Sequence, residues 1–370
     1  MKGPQPRDAI KSLLSYRPSF GKVEQGSVIR LSANEGALGT SPKVLAHLKA
    51  DQGTPSRYPE VQDRRLCEAI ASRYTLEPGQ ILTANGSDEL LSLIAMAYLE
   101  AGDEAIHTQY AFLVIPQVIQ IAGATPVVAQ DKDFICDVDA ILAAVTARTK
   151  VVFLVNPNNP TSTIIPMDEV QRLHAGLRRD TLLVLDWAYA EYQPDSFSDE
   201  AARMVEAHDN IIMTRTFSKL HGLAAFRLGW GYCAPDILTT LGSIRGPFSV
   251  NQIAADAGII AVGDVEFQEK SLRHSQKWMD EMCRFFASAG LSVVPSATNF
   301  ILIGFDGHNG PTASETARYL ASKNILFREM APYGLDQYLR MSIGTDEEMQ
   351  IVKQTLSDFF AGAQKSGTLK

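Results

Sequence analysis

Residues 81–100 read ILTANGSDELLSLIAMAYLE. The opening ILTA is a short apolar run, Asn85-Gly86-Ser87 breaks it, and after Asp88 the apolar residues recur at helical spacing. The pattern predicts a strand, a tight turn and a helix. Three further runs carry the strand signature: KVVFLV at 150–155, stopped by NPNNP, TLLVLD at 181–186, ending in an acid, and NIIMTRT at 210–216. Strands that are apolar on both faces and alternate with helices predict an α/β fold, with a mainly parallel sheet covered by helices. In such sheets ligands gather where the strands' carboxyl ends converge.

The last hundred residues differ. Residues 265–290 form a long amphipathic helical pattern, and LSVVPSATNFILIGF at 291–305 alternates as strands do. A helix around 312–323, a strand around 325–328, LRMSIG and a closing helix complete a smaller α+β domain. The expected division is an N-terminal arm at 1–30, a large domain at 31–265 and a small domain at 266–370, with the boundary inside the helix between 265 and 273.

Composition removes several function classes. A chain of 370 residues that is 45% hydrophobic can bury a large core. A formal charge of −8 argues against nucleic acid as a partner, since phosphate binding needs clustered Lys and Arg. Cys67, Cys136, Cys233 and Cys283 are far apart and show no ligand spacing, so neither a disulfide framework nor a metal site is expected. With no apolar leader and no run of 18 apolar residues, neither a signal peptide nor a membrane partner is expected, and a cytoplasmic location follows.

Residues 216–231, TFSKLHGLAAFRLGWG, place Lys219 and Arg227 in an apolar, glycine-rich setting. A catalytic lysine must be desolvated or placed near other cations to lose its proton. Thr216, Ser218 and Arg227 can hold a phosphate dianion together with backbone N–H groups. A covalently acting lysine beside a phosphate cradle suggests pyridoxal phosphate. The competing reading is a loop lysine near an ordinary ion pair. Asp186 closes an apolar run, where a carboxylate needs a partner. A protonated pyridine nitrogen would serve, and Tyr189 could bond the ring's phenolic oxygen, although Asp186 could equally cap a helix. Asn156 either donates to the same oxygen or simply exits a strand into prolines. Gly86-Ser87-Asp88 opens a helix, which is either an anion site or an ordinary Ser87 cap.

NGSDE, NPNNPT, DWAY, TFSKLHGLAAFRLGWG and YLRMSIGT occur in an order and at spacings that resemble the fold type I pyridoxal-phosphate aminotransferases, most of all the histidinol-phosphate aminotransferase branch. The resemblance runs from about Leu31 to about Glu348. It implies that Lys219 carries the cofactor, Asp186 meets its pyridine nitrogen, and Asn156 with Tyr189 meets its phenolic oxygen. It further implies that Gly86, Ser87, Asp88, Thr216, Ser218 and Arg227 hold the phosphate and that Tyr110 stacks on the ring. Tyr58, in SRYPE, resembles a tyrosine that reaches the neighbouring subunit's cofactor, implying a homodimer. Arg340 matches the arginine for the substrate carboxylate, and Arg328 that for the substrate phosphate. Asn34 lies in a substrate-side loop, and Tyr16, in the arm SYRPSF, closes over substrate or merely packs. The implied reaction moves an amino group from L-histidinol phosphate to 2-oxoglutarate. The alternatives are an aromatic or other amino donor, or decarboxylation on the same cofactor. Departures from the family pattern fall at Gly36, Gln109, Ser162 and Trp187.

Overall fold

In the computed structural model, residues 3–11, 13, 28–50, 56–307 and 310–365 are described. Seven strands form one sheet in the order Ile81–Ala84, Gly229–Cys233, Ile211–Thr216, Leu182–Asp186, Thr149–Val155, Glu104–Thr108, Thr125–Ala129. Gly229–Cys233 runs antiparallel to both neighbours, and the remaining pairings are parallel. Alternate residues of each central strand enter different cores. Ile106, Val152, Leu154, Leu183, Leu185 and Met213 pack on one face, and Ala105, Val151, Phe153, Val155, Leu182, Val184 and Ile212 on the other. A sheet buried on both faces explains why these strands read as unbroken apolar runs.

Register positions the chemistry. Val155 pairs with Asp186, Asp186 with Thr214, and Thr216 with Gly229. Asn156, Asp186 and Thr216 therefore leave the sheet at the same edge. Helix Ser87–Tyr98 begins at that edge, because it follows strand Ile81–Ala84 after a two-residue turn. Its N-cap is Gly86, at φ 83°, with no side-chain capping bond, so Ser87 is not the cap. Tyr189, rather than Asp186, caps the short 3-10 helix Ala190–Tyr192.

The second core is built by helix Val265–Ser288, helix Ala313–Ser322 and an antiparallel sheet in the order Arg328–Glu329, Tyr338–Ser342, Phe300–Gly304, Ser292–Val294. Trp278, Met282, Phe286, Ile301, Ile303, Leu339 and Met341 fill it. The single strand expected around 325–328 is two. Ile325–Leu326 pairs in parallel with Ile29–Arg30, while Arg328–Glu329 joins Tyr338–Ser342. Leu31, the expected first residue of the large domain, packs in this second core. No helix among the described residues is long and apolar enough to cross a membrane.

Candidate active site

The strand carboxyl ends and the small sheet enclose a cavity of about 360 Å³. Among its walls are Asn34, Ser87, Asp88, Asp186, Tyr189, Thr216, Ser218, Lys219, Arg227, Arg328 and Arg340, eleven residues expected from the sequence. A larger cleft of about 920 Å³ lies at the opposite edge, around His174, His208 and Asn210, and contains none of them. Its position at the amino ends of the strands is the wrong edge for a ligand of this fold.

One wall is a ready anion cradle. The helix end at Ser87 presents backbone donors that no side chain caps. Arg227 Nη2 lies 3.1 Å from Asp88 Oδ2, and its Nη1 lies 3.0 Å from the Ala224 carbonyl and 3.4 Å from Ser218 Oγ. Thr216 Oγ1 accepts from the Ser218 N–H at 3.1 Å. A Cβ on Gly86 would stand 2.7 Å from Arg227 Nη2, and its φ already favours glycine. A side chain there would push the guanidinium away from the helix end.

The floor carries opposed perturbations. Burial first, and then the Arg340 guanidinium, pull the Lys219 ammonium from 10.5 down to about 8. Its Nζ donates to the Ala33 carbonyl at 3.2 Å and sits 5.7 Å from the centre of the Tyr189 ring. Asp186 shifts the other way, from 3.8 to about 7, because burial and then Asp88 penalise its charge, despite a bond from the Ala188 N–H. Thr214 Oγ1 donates to it at 3.3 Å. Among the described residues no ion pair reaches Asp186, so a cationic ring nitrogen would fit it. Tyr189, also raised by burial, keeps its phenolic proton. Its Oη accepts from Asn34 Nδ2 at 2.9 Å.

The small sheet supplies the far wall. Arg328 pairs directly with Arg340 across adjacent antiparallel strands, which puts both side chains on one face. They are 3% and 4% exposed. Arg340 Nη2 donates to the Ser32 carbonyl at 3.0 Å, Nη1 donates to Asn159 Oδ1, and the guanidinium lies 5.1 Å over the Phe300 ring. Two buried guanidiniums side by side make this wall of the cavity positive.

Three expected residues lie elsewhere. Asn156 does not line the cavity: its Nδ2 donates to the Ile165 carbonyl and its Oδ1 accepts from the Ile165 N–H, both at 3.0 Å. It pins the returning loop, and Asn159, from the second Asn-Pro pair, lines the cavity instead. Tyr110 packs outside it with Phe134 and Tyr338, while Phe112 and Val114 line it. Tyr58 is 82% exposed and stacks on Phe248 at 4.6 Å. Tyr16 lies outside the described residues. Trp187 is fully buried and stacks on Phe197 at 5.3 Å, holding the turn after Asp186 from below. Tyr333 and Glu35 also line the cavity and had no distinguishing sequence signal.

The chain matches the family described as Aminotransferase class I and II over residues 26–356. It is 42% identical over 363 residues to a histidinol-phosphate aminotransferase of Rhodopseudomonas palustris, covering 98% of this chain and 100% of that protein. A histidinol-phosphate aminotransferase of Paramagnetospirillum magneticum is 41% identical, covering 97% and 99%. The crystal structure of histidinol-phosphate aminotransferase from Sinorhizobium meliloti in complex with pyridoxal-5′-phosphate superposes with a TM-score of 0.87 at 27% identity, covering 98% and 99% of the two chains.

Proposed function

The chain belongs to the class I and II aminotransferase family, and on that premise we propose that it transfers the amino group of L-histidinol phosphate to 2-oxoglutarate, with pyridoxal phosphate as cofactor. The observation that carries the substrate choice is the Arg328 and Arg340 pair on one face of the cavity that also holds Lys219. A donor with a phosphate, or an acceptor with two carboxylates, carries the anionic groups that a guanidinium binds bidentately, and this wall offers two guanidiniums.

The residues divide the work. Ser87, Thr216, Ser218 and Arg227 hold the cofactor phosphate, and Asp186 pairs with the ring nitrogen. Tyr189 and Asn159 serve the phenolic oxygen, with Asn159 taking the role expected of Asn156. Bound pyridoxal phosphate supplies an electron sink for charge developing at the substrate's Cα. Lys219, which lines this cavity, is the residue that would hold the cofactor covalently, and its Nζ would move the proton at the substrate's Cα. A value near 8 leaves an appreciable neutral fraction near neutral pH, as a base requires. Arg340 holds the carboxylate of 2-oxoglutarate in its half of the cycle. Arg328 holds the donor's phosphate. The active unit is a homodimer in which exposed Tyr58 reaches the neighbouring cavity, and the enzyme serves amino-acid biosynthesis in the cytoplasm.

The test starts with absorbance after incubation with pyridoxal phosphate, borohydride trapping in wild type and Lys219→Ala, and a donor panel. A visible band, trapping lost in the variant, and histidinol phosphate as preferred donor are expected. Carbon dioxide release, or inert histidinol phosphate beside reactive phenylalanine, would overturn the substrate assignment.

A further inference from the structure

Ser342, Asn34 and Tyr189 are linked by hydrogen bonds at the join between the small sheet and the cavity, and all three are buried. The Asn34 backbone N–H donates to Ser342 Oγ at 2.8 Å. The Ser342 hydroxyl proton then has Asn34 Oδ1, at 3.2 Å, as its acceptor. With Oδ1 committed to Ser342, the Nδ2 end of the amide faces Tyr189 and donates to Oη at 2.9 Å. Turning the amide over would aim Nδ2 at Ser342 Oγ and leave the buried hydroxyl proton with no acceptor, the costlier arrangement. The Tyr189 oxygen thus accepts a hydrogen bond from Asn34 and keeps its own proton for the cavity.

Backbone contacts hold this chain of bonds in place. Ser342 is paired with Phe300 in the small sheet, and its N–H donates to the Leu31 carbonyl at 2.8 Å. Asn299 Nδ2 donates to the Asn34 carbonyl at 3.2 Å, and Asn34 itself sits at φ 56°.

We propose that Ser342, acting through Asn34, is a positioning residue that makes the Tyr189 hydroxyl an obligate donor to the phenolic oxygen of the cofactor. The proposal rests on the cofactor assignment made above. A donor at that oxygen favours its ionised form and lowers the proton affinity of the chromophore that Lys219 forms with the cofactor. In Ser342→Ala the amide is free to turn, Tyr189 donates to Asn34 Oδ1, and the donor to the cofactor is lost.

The measurement is the pH titration of the visible band of the holoenzyme. Ser342→Ala is expected to raise its midpoint by about one unit, a tenfold change in the proton equilibrium, and Ser342→Thr, which keeps the hydroxyl, to restore the wild-type midpoint. Tyr189→Phe alone raises the midpoint, and adding Ser342→Ala to it produces no further shift, because the two act through one group. If Ser342→Ala fails to fold, Ser342→Cys, nearly isosteric and a weak donor, is expected to shift in the same direction. A wild-type midpoint in the folded Ala or Cys variant, or an equal shift with and without Tyr189, overturns the relay while leaving the cofactor assignment standing. Absence of the band from wild type sinks both.

Discussion

Asp186→Asn is expected to make the cofactor-free protein more stable and the cofactor-bound protein weaker. The Asp186 carboxyl is raised from 3.8 to about 7, about three units, corresponding to about 4 kcal/mol of stability lost at high pH. The sign follows from proton binding. Between pH 4 and pH 7 the folded chain retains a proton that the unfolded chain has released, so stability falls as pH rises through that window and is flat above it. Asparagine carries no charge to desolvate and still offers an oxygen to the Thr214 hydroxyl. The advantage of the variant is therefore expected to grow by roughly 2–3 kcal/mol between pH 5 and pH 8. Urea unfolding of the apoprotein at both pH values measures it. With pyridoxal phosphate the order reverses. Loss of one charge-assisted hydrogen bond, about 1.5–3 kcal/mol, raises the cofactor dissociation constant by roughly tenfold to a hundredfold. A stability gap that is the same at pH 5 and pH 8 would refute the claim that Asp186 is an unpaired, desolvated carboxyl.

Other substitutions probe the remaining walls. Arg328→Ala should cost about 2–4 kcal/mol in kcat/KM for a phosphorylated donor and much less for an unphosphorylated one, read from parallel steady-state assays. Asn159→Ala should shift the visible spectrum of the bound cofactor with little loss of fold, whereas Asn156→Ala should lower stability by about 1–3 kcal/mol by freeing buried backbone groups of Ile165, seen in thermal melts. Gly222→Ala should be poorly folded, since its φ is 66° and a Cβ would stand 2.0 Å from the Gly39 carbonyl oxygen. A melting temperature within a degree of wild type would show that the loop at 36–41 yields.

Much of this was legible in the chain, for reasons that can be named. The apolar runs ending at Val155, Asp186 and Thr216 are continuous because both sheet faces are covered, and their shared ending edge follows from parallel register. Lys219, Asp186 and Arg227 stood out because charge in apolar surroundings is costly. Asn159 was not legible in the same way. NPNNP offers two Asn-Pro pairs, and only the reversal of the loop, with Asn158 N–H bonded to the Thr163 carbonyl and Asn156 clamped on Ile165, decides which amide lines the cavity. The surroundings of Tyr110 were not legible for a similar reason, since its ring finds an aromatic neighbourhood in Phe134 and Tyr338 that is remote in sequence. The break at Phe327 separates two short strands with different partners, and composition gives no sign of it.

The pairing of Arg328 with Arg340 has a consequence for how this cavity could change over evolutionary time. Side chains on a strand alternate between faces, so the spacing of the two cations is set by backbone register rather than by the identity of either residue. The connection between them passes through residues 330–337. A deletion there that slipped the short strand by one residue would swing Arg328 out of the cavity with no arginine mutated. Length variation in that segment, rather than point substitution in the walls, is thus a one-step route by which a descendant of this chain could lose one of the two cations from this wall.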